Sequence, residues 1–124
     1  MPYQIFFDES LQLCKVELKG SVDASEIVEA VRTFARDDRW QQGTNTLWDG
    51  TRISELIIDW DEAQEVVTVL KELQPRLGPG KAAIVTYREV DLSMAQYFRH
   101  YISTEQRELK SFQSMAKARA WLEE

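Results

Sequence analysis

The sequence contains a single cysteine, Cys14, only one histidine and few prolines and glycines. A lone cysteine excludes an internal disulfide and suits a reducing compartment. Long hydrophobic runs are also missing. The longest, Ala82 to Val85, is far shorter than the roughly 20 residues that a membrane-spanning helix needs. We therefore predict a cytoplasmic protein with no integral membrane association.

Positive charge is scarce as well, because 15 basic residues stand against 21 acidic ones and give a net charge of −6. The basic residues are scattered along the chain, and no stripe of Lys and Arg interleaves with aromatic residues. Nucleic-acid-binding proteins carry such a stripe, and an acidic surface is repelled by anionic lipid headgroups. The sequence therefore predicts neither nucleic acid nor a charged membrane as a partner.

What is present is the patterning of one globular domain, because 44% of the residues are hydrophobic and 29% are charged. Apolar residues alternate over 3–7 and again over 14–18, which is the period of β-strands. A turn at 8–10 joins the two segments, and Gly20 is expected to end the second. The chain is therefore predicted to open with an antiparallel hairpin.

A helix follows, with Asp23 as its N-cap and Glu26 at the spacing of a capping box. The helix is expected to stop near 37–39, and Trp40 to fold back over its end. Its apolar side chains recur with the helical period and form one face: Ile27, Val28, Val31, Phe34 and Ala35.

The middle of the chain predicts a buried central strand from Thr46 to Asp49, ending in an acidic turn. A second helix runs from about Asp61, and Pro75 with the glycines at 78 and 80 should end it. Its inward face consists of apolar residues at helical spacing: Ala63, Val66, Val67, Leu70 and Leu73.

The last third predicts two more strands and two more helices. Residues 81–86 are a short apolar strand of the kind found in parallel sheets, and 108–113 an edge strand. Asp91 caps a helix between them, and Ser114 caps the last one. The apolar residues of the 91–102 helix are Met94, Ala95, Tyr97, Phe98, Tyr101 and Ile102, and those of the last helix are Met115, Ala118, Trp121 and Leu122.

The predicted order is therefore ββαβαβαβα in a single domain over residues 1–124. Strands that alternate with helices form parallel sheets joined by crossovers. We predict an α/β fold in which a mixed, mostly parallel five-stranded sheet is flanked by four helices. In such sheets ligands gather at the carboxyl ends of the strands, which places the candidate site in the segment from Asp49 to Asp61.

Several local signatures resemble one known family. The first helix ends at Arg39-Trp40, the central strand reads Leu47-Trp48-Asp49, and a small-residue strand, Ala82 to Val85, follows a glycine-rich turn. The chain closes on Phe112 and then on the segment 118–122. This order is similar to the SpoIIAA-like branch of the STAS superfamily, which is related in shape to the CRAL-TRIO/Sec14 lipid-binding domains. The resemblance covers essentially the whole chain.

The resemblance implies a regulatory module with a protein partner. In STAS regulators a partner kinase phosphorylates the Ser of an Asp-Ser pair where the helix after the central strand begins. The matching positions here are Asp59-Trp60, so Trp60 occupies the place of that hydroxyl. Thr51 and Ser54 lie nearby. One alternative function is therefore a phosphorylation-switched regulator, similar to an anti-sigma-factor antagonist, that acts through Thr51 or Ser54.

Four carboxylates, Asp49, Asp59, Asp61 and Glu62, cluster in sequence at the end of the central strand. Such a group could hold Mg²⁺ or act as an acid/base pair. It could equally cap the second helix, whose first N–H groups and positive dipole end attract a carboxylate. Because no histidine, lysine or nucleophile accompanies them, we predict no catalytic residue, metal or cofactor. A small enzyme or metal site at Asp49, Asp59 and Asp61 is a second alternative.

The apolar segment Leu56-Ile57-Ile58, with Trp60, is unusual for a loop between a strand and a helix. Packing on the domain's own core is the favoured interpretation. The alternatives are a homodimer face, or a pocket shared with Tyr97, Phe98 and Tyr101. We predict a non-enzymatic binding module that holds a protein partner or an apolar ligand, such as a fatty acyl chain. The predicted binding surface comprises Asp49, Leu56, Ile57, Ile58, Trp60, Tyr97, Phe98 and Tyr101.

Overall fold

A five-stranded sheet forms the middle of the protein. The computed structural model describes residues 3–88 and 107–124, so the helix predicted to begin at Asp91 lies outside the described residues. The strands are β1 (Tyr3–Asp8), β2 (Leu13–Asp23), β3 (Asn45–Ile57), β4 (Gly80–Val85) and β5 (Arg107–Phe112). The helices are α1 (Ala24–Arg36), α2 (Trp60–Leu77) and α3 (Met115–Leu122), and a short 3₁₀ turn (Glu9–Leu11) joins β1 to β2.

The strands lie in the sheet in the order β1-β2-β3-β4-β5. β1 pairs antiparallel with β2, and all the other neighbouring pairs are parallel. This arrangement confirms the predicted opening hairpin, the mixed and mostly parallel sheet, and the placement of the 108–113 segment at an edge. Of the four predicted helices, three fall in the part of the chain that the structure describes.

The prediction that the central strand ends in a turn at Asp49 is wrong. β3 continues to Ile57, and beyond Asp49 it pairs only with β2 among the described strands. β2 itself runs on past Gly20 to Asp23, with register shifts on either side of that glycine. Such irregularities bend a strand without ending it. The prediction that Gly20 ends the second strand is therefore wrong. The predicted 49–61 loop is therefore mostly strand.

The side chains of each strand alternate between two packed faces. On one face, Cys14 and Val16 of β2 pack with Val31 and Phe34 of α1, and Ala82 of β4 packs with the apolar side of α2. On the other face, α3 covers a separate cluster: Leu13, Leu47, Ala83, Val85, Ala118, Trp121 and Leu122. Successive residues such as Ala82 and Ala83 therefore belong to different cores.

The helix ends follow the predicted caps. Asp23 accepts a hydrogen bond from the Glu26 N–H at the start of α1, and Ser114 accepts one from the Lys117 N–H at the start of α3. The prediction that Pro75 and the glycines at 78 and 80 end the second helix is confirmed for Gly78 and wrong for Pro75. Pro75 lies within the last turn, and α2 continues to Leu77 before Gly78, with a φ of +74°, ends it.

Two predicted core residues are confirmed. Trp40 folds back over the end of α1 and is 2% exposed. Cys14 is fully buried, and this burial raises the pKa of its thiol to about 12. The thiol therefore stays protonated at neutral pH and packs as a small apolar group. Within the described residues, no helix is long and apolar enough to cross a membrane.

Candidate functional site: a cavity under two helices

A cavity of about 110 Å³ lies between the sheet and the helices α1 and α2. Its walls come from β2, β3, β4 and β5 on the sheet side and from the inward faces of the two helices. Nearly all of its lining is apolar. The apolar lining residues include Leu18, Ile27, Val31, Ile53, Leu56, Val66, Leu70, Leu77, Ala82, Ile84 and Leu109.

Three aromatic rings form one wall of this cavity. Phe34 stacks on Trp40 with ring centroids 5.0 Å apart, and it meets Trp48 edge-on at 5.9 Å. The Trp40 indole N–H donates to the Leu77 carbonyl at the end of α2. Aromatic contacts of this kind fix ring positions beyond what area burial alone would do. The wall is therefore held in place from two helices and the central strand.

Among the described residues that line the cavity, Arg107 is the charged one, and it is 5% exposed. Its guanidinium donates to the Thr44 carbonyl at 3.0 Å, to the Leu77 and Gly78 carbonyls at 3.3 Å each, and to the Lys81 carbonyl at 3.4 Å. Burial lowers the pKa of Arg107 to about 10. The group thus remains charged at neutral pH and fastens the end of α2 to the starts of β3 and β4.

Two threonines near this polar end differ in how their hydroxyls are used. Thr44 is buried, and its hydroxyl donates to the Gln41 carbonyl at 2.7 Å. Thr46 lines the cavity and is 4% exposed. Among the hydrogen bonds of residues 3–88 and 107–124, none is made by the Thr46 hydroxyl. Its donor is therefore offered to the cavity.

The predicted apolar segment divides between core, cavity and surface. Leu56 lines the cavity, and Ile58 packs on the core beside α2, in agreement with the favoured interpretation. Ile57 and Trp60 are instead 49% and 56% exposed. Tyr97, Phe98 and Tyr101, the other half of the predicted pocket, lie outside the described residues.

Asp49 and the two candidate phosphorylation sites lie along β3. Asp49 is half-buried, and its carboxylate accepts hydrogen bonds from the Thr51 N–H at 3.0 Å and the Thr51 hydroxyl at 2.7 Å. The Lys15 ammonium is 4.0 Å from the same carboxylate. Asp49 alternates with Trp48 and Gly50, which line the cavity, so it faces away from it. Ser54 is exposed.

The other carboxylates of the predicted acidic cluster belong to the start of α2. Asp59 accepts from the Glu62 N–H, and Glu62 accepts from the Asp59 N–H, which makes a complete capping box. Asp61 lies exposed in the first turn. In the part of the chain that the structure describes, no three His, Cys, Asp or Glu residues are placed to hold a metal ion. The helix-capping alternative thus accounts for Asp59 and Glu62.

Sequence reasoning missed the helix α1 side of the cavity and its polar end. A usable signal was present at Arg107, because Arg107 and Leu109 have the same parity in a short strand and must share a face. A charged side chain on the inward face of a strand is rarely left there without a purpose. Thr46 gave no signal, because a threonine in a strand is ordinary.

No protein-family model and no curated protein matches the chain. Solved structures do match it. An uncharacterized protein of the DUF3478 family with a SpoIIAA-like fold, from Shewanella loihica PV-4, is 15% identical, with a TM-score of 0.61 over 97% of this chain and 91% of that one. The anti-sigma factor antagonist SpoIIAA in its unphosphorylated form is 12% identical, with a TM-score of 0.58 over 95% and 94%.

The Bacillus cell fate determinant SpoIIAA in its phosphorylated form is also similar, at 12% identity and a TM-score of 0.56 over 96% of this chain and 97% of that one. At these identities the likeness shows the fold alone. The class that these structures define is the SpoIIAA-like fold, and the resemblance seen in the sequence is confirmed at the level of the fold.

Proposed function

We propose that the protein is a non-enzymatic binding module of STAS type that takes a small apolar molecule into the cavity between the sheet and the helices α1 and α2. The observation that carries this proposal is the cavity itself, about 110 Å³ with an almost entirely apolar lining. Protein cores are normally packed without such voids.

The size and polarity of the cavity suit a compact occupant. An engineered apolar cavity of about 150 Å³ stays dry and binds benzene. A ligand that binds only the folded protein stabilises it by RT ln(1 + c/Kd), where c is the ligand concentration, so the effect grows with the logarithm of that concentration. Occupancy would thus stabilise the folded protein, and the bound molecule would contact β3 and both helices. In this proposal, ligand binding regulates the protein by changing the surface at the end of β3 and the start of α2.

Two neighbouring alanines of β4 offer a matched test. Ala82 lines the cavity, whereas the fully buried Ala83 belongs to the packed core under α3. We expect Ala82→Ile to fill the cavity without loss of stability, because the added methyl groups enter empty space. Ala83→Ile should lower the free energy of unfolding by about 1–3 kcal/mol through overpacking. Urea denaturation of both variants measures the difference.

The same pair tests ligand binding. A small hydrocarbon such as benzene should raise the melting temperature of the wild-type protein but leave that of Ala82→Ile unchanged, since the site is filled. Equal destabilisation by both isoleucines would show that no usable cavity exists at Ala82. Equal thermal shifts of wild type and Ala82→Ile by benzene would place the binding somewhere else and contradict the proposal.

A second candidate is a protein-binding surface at Ile57 and Trp60, which are exposed within four positions of each other at the end of β3 and the start of α2. Exposed apolar groups that lie together mark interaction sites. One structure of the same fold is an anti-sigma factor antagonist, which supports a regulatory protein as the partner. A homodimer through the same surface stays a prediction.

If phosphorylation controls this surface, Ser54 suits it better than Thr51. A phosphate on Thr51 would lie against the Asp49 carboxylate that its hydroxyl now contacts at 2.7 Å, and like charges repel. We expect Trp60→Ala to abolish capture of a partner that wild type retains. In the same native preparation, phosphopeptide mapping by mass spectrometry should find phosphate on Ser54. Identical captured proteins with Trp60→Ala would rule out this surface.

A further inference from the structure

The polar end of the cavity carries information about the ligand that the apolar walls do not. Thr46 lines the cavity there, and this residue is 4% exposed. Its oxygen is not sealed within the packed core but reaches the space of the cavity. An acceptor placed in that space would give the hydroxyl a hydrogen bond that the apolar walls cannot supply. The choice of threonine at a ligand-sized cavity points to a partner that the ligand supplies.

Thr44 shows what the chain does when a hydroxyl is purely structural. It lies two residues earlier and is equally buried. Its hydroxyl donates to the Gln41 carbonyl at 2.7 Å and accepts from the Gln41 N–H at 3.3 Å. Those bonds close the turn that leads into β3. Thr46 lies beyond that turn, within the strand, where the backbone of its neighbours is already paired with β2 and β4. The cavity is therefore where the Thr46 hydroxyl can form a hydrogen bond.

Arg107 decides which kind of polar group fits at this end. Its guanidinium donates to the Thr44 carbonyl at 3.0 Å, so its positive charge lies near the start of β3, close in the chain to Thr46. It also lies over the Trp40 ring at 5.7 Å. In a cavity with mostly apolar walls, a nearby cation favours the negative end of a ligand dipole. An acceptor oxygen is thus preferred over a donor.

We propose that the ligand is a compact molecule, about the size of one six-membered ring, which carries a single oxygen acceptor. The oxygen accepts a hydrogen bond from the Thr46 hydroxyl, and the ring packs against Phe34 and Trp48. This inference rests on the proposed function, which requires only that the cavity take an apolar molecule. The further inference adds how the ligand is oriented in the cavity and that its polar group is an oxygen acceptor.

An isosteric pair of probes separates the two claims. Cyclohexanone carries a carbonyl oxygen where methylenecyclohexane carries a CH₂ group, so the two differ in the acceptor but hardly in shape. Binding is followed by two-dimensional NMR through the indole N–H signals of Trp40 and Trp48, which line the cavity. Trp121, buried on the opposite face of the sheet, is the internal control for nonspecific effects.

For the wild-type protein we expect both probes to shift the Trp40 and Trp48 signals and to leave Trp121 in place. Thr46→Val should weaken cyclohexanone about fivefold, which is the worth of one net hydrogen bond. Methylenecyclohexane should bind that variant within about twofold of wild type, because the shape of the site is kept. Thr46→Ser, which retains the hydroxyl, should restore most of the cyclohexanone affinity, and an unfolding curve for each variant checks that the fold is intact.

If both probes bind but Thr46→Val weakens them equally or not at all, the oxygen acceptor is wrong while the cavity-binding function stands. If neither probe moves Trp40 or Trp48 in wild type, the proposed function fails, and this inference fails with it.

Discussion

Replacing Arg107 by methionine is expected to lower the free energy of unfolding by about 3 kcal/mol. The guanidinium donates to four backbone carbonyls, those of Thr44, Leu77, Gly78 and Lys81. Methionine fills a similar volume but donates nothing, so the Thr44 carbonyl loses its donor at a cost of about 1–3 kcal/mol. The Leu77 carbonyl keeps the Trp40 indole and Gly43 N–H groups as donors, and the Gly78 carbonyl keeps the Gln74 amide, so their loss is smaller. Part of that loss is offset because a buried charge no longer has to be desolvated.

Thermal and urea denaturation measure this effect, which corresponds to roughly a 10 °C fall in Tm for a domain of this size. Arg107→Lys should recover part of the loss, because an ammonium keeps the charge but cannot reproduce the planar fork. The matched control is Glu108→Met on the same strand, where the side chain is exposed, and it should change stability by less than about 0.5 kcal/mol. Equal stability of Arg107→Met and wild type would contradict the role assigned to the guanidinium.

Local chemistry explains why much of the fold could be predicted. The caps at Asp23 and Ser114 follow from side chains that bond N–H groups three residues away. The hairpin follows from alternation over two short segments and the turn between them. The inward residues of α3 follow from helical spacing alone. Each of these signals lies within a few residues of chain, so the sequence carries it directly.

The length of β3 depends on a distant segment, and this is where prediction failed. Residues 50–57 include a glycine and a serine and alternate weakly, so they resemble a loop. They form a strand because β2 runs on beside them, with Val22 opposite Leu56 and Asp23 opposite Ile57. A partner strand more than thirty residues earlier supplies the hydrogen bonds. Pairing of this kind is invisible to a local pattern.

The candidate site was predicted only in part, for a related reason. The sequence left a pocket that includes Leu56 as an alternative to core packing, and it placed the other wall at Tyr97, Phe98 and Tyr101, which lie outside the described residues. In the structure, much of the cavity wall comes from Phe34, Trp40 and the α2 face. A cavity forms where several packed elements leave space unfilled, so no single residue type predicts it. Thr46 and Arg107 can be recognised as cavity residues only once the packing is known.

Phe34→Ala should have the largest effect of any substitution in the cavity wall, a loss of about 4 kcal/mol in the free energy of unfolding. Phe34 is 2% exposed and contacts both tryptophans of the wall. Removing a buried phenyl ring costs its transfer free energy and leaves a larger void. Phe6 provides the control, because it is 47% exposed on the edge strand β1, and Phe6→Ala should cost less than about 1 kcal/mol.

A second substitution of Phe34 distinguishes its role as a core residue from its role as part of the cavity wall. Phe34→Leu retains much of the apolar volume and should keep the protein folded at a cost of about 1–2 kcal/mol. Without the flat ring, however, the cavity widens beside Trp48, so a two-ring hydrocarbon such as naphthalene should bind the variant and be excluded from wild type. Calorimetric denaturation and the Trp48 indole N–H signal report the two effects independently. If Phe34→Leu loses stability but shows the same ligand size limit as wild type, Phe34 is a core residue only, and the boundary of the ligand site lies with Trp40 and α2.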